Sequence, residues 1–198
     1  MAIIASAKPN HFDPVSQGVH TAVCTAVIDI GEQYNATFNN ISRKVLLTWE
    51  ITDETIWIEG EERPRFISKE YTMSLSEKAN LRRDLESWRG KKFSENELAG
   101  FDLINILGKG CQIQVIHNDK GYANIAGIMS LPKGMPYPEH HSNTIYFDLT
   151  DPECLSLMDQ IPAWVQDKIR ASSTYEQLTA HREEPDHSSL DAEDDLPF

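Results

Sequence analysis

The chain has 198 residues, 40% of them apolar, with four Trp, six Tyr and seven Phe; that suits one domain with its own core plus appendages and excludes a fully disordered protein. A formal charge of −13 excludes a broadly basic nucleic-acid-binding face, so a polyanion would have to be held in a local groove. Cys24, Cys111 and Cys154 form an odd, widely spaced set without a C-x-x-C pair; with no secretory or membrane-spanning pattern before them, they read as buried thiols of a reduced cytoplasmic protein.

Residues 1–17 read as a loose arm broken by Pro9 and Pro14. Val19 to Ile30 is rich in β-branched residues and predicts a first strand. Gly31 to Ser42 reads as a polar loop carrying Tyr34 and Phe38. Lys44 to Ile51 predicts a second strand, Asp53 to Pro64 an acidic connection holding Trp57, and Arg65 to Met73 a third strand. From Ser74 to Arg89 the spacing becomes helical, with Leu75, Ala79, Leu81, Leu85 and Trp88, an N-cap at Ser74 or Ser76 and a stop at Gly90. A second short helix is expected from Ser94 to Leu107, ended by Gly108-Lys109-Gly110. Cys111 to His117 alternates as a fourth strand, Asn118-Asp119-Lys120-Gly121 makes a tight turn, and Tyr122 to Leu131 returns as the fifth. Pro132 to His141 is a Pro-rich loop, and Ile145 to Leu149 adds a candidate edge strand. A last helix opens at Asp151-Pro152, carries Leu155, Met158, Ile161, Trp164, Val165 and Ile169, and is interrupted by Pro162. Beyond Ala171 apolar residues are too few to support a core, which predicts disorder.

Three strands, a helical stretch and two strands make up the order of an oligonucleotide-binding barrel. The expected fold class is mainly β with helices: an OB-fold, a five-stranded Greek-key β-barrel, with a helical insertion between strands 3 and 4 and a C-terminal helix. The expected boundaries are 1–17 for the arm, 18–150 for the barrel, 151–170 for the C-terminal helix and 171–198 for a disordered acidic tail. The stripe on that helix would cover the barrel or pair with a second copy, which leaves a homo-oligomer open.

Charge is unevenly spread. From Thr179 to Phe198 seven acidic residues stand against Arg182, whereas Arg63 to Lys92 holds nine basic and four acidic residues. The acidic run closes on Asp194, Asp195, Leu196, Pro197 and Phe198. Pro197 fixes its own φ, Phe198 offers a ring, and the carboxylates offer charge to basic side chains around an apolar pocket on a partner. This ending resembles the acidic tip of bacterial and phage single-stranded DNA-binding proteins. The stretches from Lys69-Glu70-Tyr71-Thr72 through Leu81-Arg82-Arg83-Asp84-Leu85-Glu86-Ser87-Trp88-Arg89-Gly90, and from Gly100-Phe101-Asp102-Leu103 to Gly110-Cys111, carry the same likeness. The chain as a whole thus resembles phage-encoded single-stranded DNA-binding proteins. That resemblance implies a protein of the bacterial host cytoplasm that coats single-stranded DNA without strong sequence preference during replication, recombination and repair. It also implies that the tail recruits replication and recombination proteins. The long helical insertion and the extra C-terminal helix depart from the bacterial proteins, whose oligomeric state is not carried over.

Gripping a single strand takes cations along the backbone path and flat rings for the bases. In such a barrel strands 2 and 3 supply the site, with the loops joining strands 1–2 and 4–5. The DNA-binding candidates are Tyr34 and Phe38 in the first loop, Arg43, Lys44 and Trp49 on strand 2, Arg65, Phe66, Lys69 and Tyr71 on strand 3, and Lys120 and Tyr122 at the last hairpin. Val45, Leu47, Trp49 and Ile51 share one face, as do Ile67, Tyr71 and Met73, so packing explains Trp49 and Tyr71 equally well. Trp57 stands among carboxylates that would repel phosphate. Arg82, Arg83, Arg89, Lys91 and Lys92 read as a solvated helix face.

Nothing predicts catalysis, a metal or a cofactor. Gly108-Lys109-Gly110 lacks the spacing of a phosphate loop, and Glu139-His140-His141 reads as polar loop. A reading of another class keeps the barrel and the tail but has the protein sequester the host's tail-binding enzymes without touching DNA; the acidic body favours it. Annealing of complementary strands would need a similar groove.

Overall fold

A computed structural model describes residues 13–183. Six strands form one sheet: β1 (Gly18–Asn35), β2 (Asn40–Ile58), β3 (Glu61–Thr72), β4 (Gly110–His117), β5 (Ala123–Met129) and β6 (Ile145–Phe147). Between β3 and β4 lie α1 (Asn80–Arg89), α2 (Glu95–Ala99) and a 3-10 turn (Leu103–Ile106). After β6 come a 3-10 segment (Pro152–Gln160), α3 (Ala163–Arg170) and α4 (Ser173–Glu183). The fold is therefore mainly β with a few helices, placed as expected between the third and fourth strands and after the sheet.

The strand order is β3-β2-β1-β4-β5 with antiparallel neighbours, and β6 pairs with β1 in parallel. β3 and β5 are the two ends of this order. Among the described residues no backbone ladder joins them, so the sheet is not closed. They approach through Lys69, whose Nζ donates to the Ile125 carbonyl at 3.4 Å, and through α1, whose Ser87 Oγ donates to the Ile128 carbonyl at 2.6 Å.

The near-continuous apolar run of β1 follows from burial on both faces. On one face Cys24 and Val27 join Val45, Leu47, Trp49 and Ile51 of β2 and Leu81, Leu85 and Trp88 of α1. On the other, Ala26, Ile28 and Ile30 join Leu46, Phe147, Met158, Ile161, Val165 and Ile169. Irregularities between Cys24 and Ala26 and between Asp29 and Gly31 bend the strand between its two layers. The helix stripe read from Ile161, Val165 and Ile169 thus covers this chain's own sheet. β4 pairs with Gly18–Val23 of β1 and β6 with Ala26–Ile28, so Ile145–Phe147 continues the lane of β4 and, paired on one side only among the described residues, is an edge strand as expected.

Several expected boundaries move, each for a local reason. Gly31 to Ser42 is no loop, because β1 and β2 run on as a hairpin that turns at Ala36–Asn39. Gly31 permits this with φ +72, and a Cβ there would meet Ser172 Oγ at 2.4 Å. Asp53 to Pro64 is likewise a hairpin, turning at Glu59-Gly60; Pro64 is tolerated because β3 is an edge strand. The first helix starts at Asn80, since Ser74 Oγ accepts the Ser76 N–H at 3.2 Å in a preceding turn and Ala79 takes the N-cap. The expected helix from Ser94 to Leu107 splits at the extended Gly100 into α2, with a Ser94–Glu97 capping box, and the 3-10 turn capped by Asp102.

The last helix divides at Pro162, as its sequence predicts. Ser173 to Glu183 is helical where composition predicts disorder. α4 has few apolar anchors but is docked: Thr174 Oγ1 accepts the Glu32 N–H at 3.0 Å, and Tyr175 and Leu178 pack on the second core. The end of the N-terminal arm is also fixed, by burial of Val15 and by His117 Nε2 donating to the Val15 carbonyl at 2.8 Å. Residues 1–12 and 184–198, including the tip from Asp194 to Phe198, lie outside the described residues. Ile169 is fully buried in the second core, so Ile169→Ala should lower unfolding free energy by about 2–5 kcal/mol in a urea titration.

Candidate nucleic-acid interface

Side chains alternate across β2 and β3, and that alternation divides the strand candidates. Arg43, Trp49, Arg65, Lys69 and Tyr71 hold odd positions and are engaged in the interior or at its margin. Trp49 is 0% exposed and lies tilted against Trp88, with ring centroids 6.0 Å apart. Tyr71 is 3% exposed and donates its hydroxyl to Asp84 Oδ2 at 2.9 Å; burial and the Asp84 carboxylate push its pKa above the ordinary tyrosine range. Neither ring offers a face to a base, so both are packing residues.

The three cations of this set are already paired. Lys69 Nζ donates to Asp84 Oδ2 at 2.7 Å, and Arg65 Nε pairs with Glu54 Oε1 at 2.9 Å. The Arg43 guanidinium is held by Asp29, and that hydrogen bond raises its pKa. A phosphate would have to displace a carboxylate to reach any of them.

Lys44 and Phe66 hold even positions and face the other way. Phe66 is 47% exposed on the rim of a cavity of about 390 Å³ between the outer face of β2–β3 and α3. Across it stands Trp164 of α3, 51% exposed although its neighbour Val165 is fully buried. The floor is uncharged: Leu46 and Ile28 contribute apolar surface, and the Thr48 and Ser68 hydroxyls bond each other at 2.8 Å. Lys168, one turn after Trp164, places Nζ 5.5 Å from the Trp164 ring centroid and pairs with Glu70. Burial, and then the charge of Lys44, lower the Lys168 pKa. Glu70 thus pairs with Lys168, while Lys44 has no ion-pair partner among the described residues.

The mouth of the cavity is shaped by the loop before β6. Glu50, on the outer face of β2 and 1% exposed, accepts the His141 N–H at 2.8 Å, the Ser142 N–H at 3.0 Å and the Ser142 hydroxyl. Burial raises the Glu50 pKa, but these three hydrogen bonds outweigh it and hold the carboxyl below its ordinary range. The clamp sets Asn143 at the cavity, opposite Gln160 at the end of the 3-10 segment. His140 turns back, with Nδ1 2.8 Å from the Ser142 carbonyl.

The loop candidates lie elsewhere. Tyr34 and Phe38 are exposed at the β1–β2 hairpin tip, where the Tyr34 hydroxyl donates to Asn39 Oδ1 at 2.9 Å. Lys120 and Tyr122 are exposed at the β4–β5 turn, in which Asn118 Oδ1 accepts the Lys120 and Tyr122 N–H groups at 3.0 Å each. The register places these two tips at opposite ends of β1, so the structure does not gather them with Phe66 into one pocket. Trp164, Lys168, Asn143 and Gln160 are the residues that sequence reasoning missed. For the first two a signal was present: Trp164 and Lys168 are four apart and each immediately precedes a member of the Val165–Ile169 stripe, which sets them on its flank.

Because the Glu50 pKa is depressed in the folded state, its stabilising effect is complete above the ordinary carboxylate range and is lost as pH falls through the depressed value. Glu50→Gln should cost about 1–3 kcal/mol at pH 7, and urea titrations repeated at falling pH should show the gap to the parent closing in acid. Comparison with protein-family models and with curated proteins gives no match for this chain. The chemistry of the groove itself therefore carries the functional reading.

Proposed function

We propose that the chain is a single-stranded DNA-binding protein of OB-fold type whose strand-binding groove lies between the outer face of β2–β3 and α3. The order β3-β2-β1-β4-β5, with α1 between β3 and β4 and the β3 and β5 edges drawn together at Lys69, supports the barrel reading. The observation that carries the function is the pairing of two half-exposed rings, Phe66 and Trp164, on one uncharged cavity with Lys168 and Lys44 beside it. Rings for the bases and a short cationic rim for the backbone are what sequence-tolerant binding of a single strand uses. Tyr34, Phe38, Lys120 and Tyr122 extend the path at the hairpin tips. The protein coats DNA during phage replication, recombination and repair. The acidic tip from Asp194 to Phe198 recruits replication and recombination proteins by docking Phe198 and its neighbouring carboxylates on them.

The charge of −13 favours a second reading, in which the protein sequesters enzymes that bind such tails and leaves DNA alone. Oligonucleotide titrations separate the two. In low salt, oligo-dT should bind the parent, and Phe66→Ala and Trp164→Ala should each weaken binding by about 1–3 kcal/mol, the worth of one stacked base. Trp49→Phe, which removes a buried indole N–H without a partner among the described residues, should leave affinity unchanged. Two neutralised phosphates should give a log–log salt slope of about −1.4. Binding that ignores both rim substitutions would refute the groove, and no binding at low salt would favour the second reading.

A further inference from the structure

The cavity between Phe66 and Trp164 holds more chemistry than a stacking surface requires. Side-chain amides of Asn143 and Gln160 line it from opposite elements, and neither has a hydrogen-bond partner among the described residues. An amide offers a donor and an acceptor side by side, which matches the paired groups along the edge of a nucleobase. Charged groups could not do this without also attracting or repelling phosphate, and none lines the cavity. Its volume of about 390 Å³ lies in the range of sites that enclose a small organic ligand, about 300–1,000 Å³.

The backbone that carries each amide is also held in place. Asn143 follows the pair of residues clamped by the buried Glu50 carboxylate. Gln160 closes a 3-10 segment whose last turn is fixed by the Ile161 N–H donating to the Met158 carbonyl at 3.0 Å, with Pro162 stopping its continuation. Polar groups on such a fixed frame select a ligand, because a mismatched one that covers them leaves them unpaired.

We propose that this cavity is a slot for one extruded base of the bound strand: the base stacks against Phe66 and Trp164, and the Asn143 and Gln160 amides read its edge. The inference rests on the single-strand reading above and sharpens it. An otherwise tolerant path gains one position at which base identity matters. The flanking phosphate takes the place of Glu70 on Lys168, so the slot recognises a nucleotide within a strand.

The test compares the full chain with the double variant Asn143→Leu/Gln160→Leu, which removes both amides at nearly constant size. Anisotropy titrations use fluorescent oligo-dT, oligo-dC and oligo-dA of equal length in low salt, with urea titrations of both proteins alongside. The parent should separate its best and worst homopolymer by about tenfold or more, the discrimination one well-placed pair of hydrogen bonds provides. In the double variant the best homopolymer should fall to the level of the worst, while the worst stays where it was. Equal affinity of the parent for all three strands would overturn the slot and leave the coating function standing, as would a spread that survives in the double variant. Failure of the parent to bind any strand would overturn both. Both residues are exposed, so stability should hold. If the double variant is nonetheless destabilised, Gln160→Leu alone should narrow the spread, and an unchanged spread there would likewise overturn the slot.

Discussion

β1 is pressed between two apolar layers, and the shape of the rest follows from that. Val27, Val45, Leu47 and Trp49 are sealed by α1, whereas Ala26, Ile28, Ile30 and Leu46 would face water without Phe147, Val165 and Ile169. A sheet whose central strand is apolar on both faces needs a second cover, since leaving those side chains exposed costs about 1.5–3 kcal/mol each. The segment after β6 supplies it. This cover reaches across β1 and as far as Leu46, but it ends before Thr48, Phe66 and Ser68, which line the cavity under its edge. The groove is what the second layer leaves uncovered, and Trp164 stands on its rim because Val165 and Ile169 are committed to the core.

Pairing of charges explains how an acidic chain can keep a cationic spot. Most basic residues near the sheet and α1 are matched: Lys69 with Asp84, Arg65 with Glu54, Arg43 with Asp29, Arg82 with Glu86 and Arg89 with Glu97. These contacts serve the fold, and they remove from the surface the charges that the sequence segment from Arg63 to Lys92 seemed to offer. Lys44 differs: Glu70 pairs with Lys168, and Lys44, whose charge lowers the Lys168 pKa, has no ion-pair partner among the described residues. An unmatched cation thus stays on the outer face of β2 although the body is negative.

Much of the architecture could be read from the chain, and the limits of that reading were physical. Period-two patterning gave the strands, and Gly90, Pro162 and the Asn118–Gly121 turn gave the breaks, because each acts locally. Patterning also showed that Trp49 and Tyr71 share a face with aliphatic neighbours, but only the packing of α1 on that face makes it the interior. Since strand parity fixes the rest, Arg43, Arg65 and Lys69 turn with them, and of the strand candidates only Phe66 lines the groove, with Lys44 on the same outer face. The hairpin hidden in Gly31–Ser42 escaped notice because ladder hydrogen bonds hold polar side chains in a strand as well as apolar ones. α4 escaped because its docking partner is β1, more than a hundred residues away. The groove brings Phe66 and Trp164 to one cavity from distant parts of the chain, which no sequence window spans.

The acidic body also decides what kind of binding this groove can support. With a Debye length of about 8 Å at physiological ionic strength, the charges of the body and of the tail act on a distant strand only weakly and with the wrong sign. Long-range steering therefore works against encounter, and affinity has to arise at contact, from stacking on Phe66 and Trp164 and from short-range polar groups. Salt then has two opposed effects: it weakens the few lysine–phosphate contacts and screens the repulsion of the body. A site of this kind depends on exact placement more than on charge. Here Glu50 matters most, because one buried carboxylate ties the loop that shapes the cavity mouth to the strand that forms its floor.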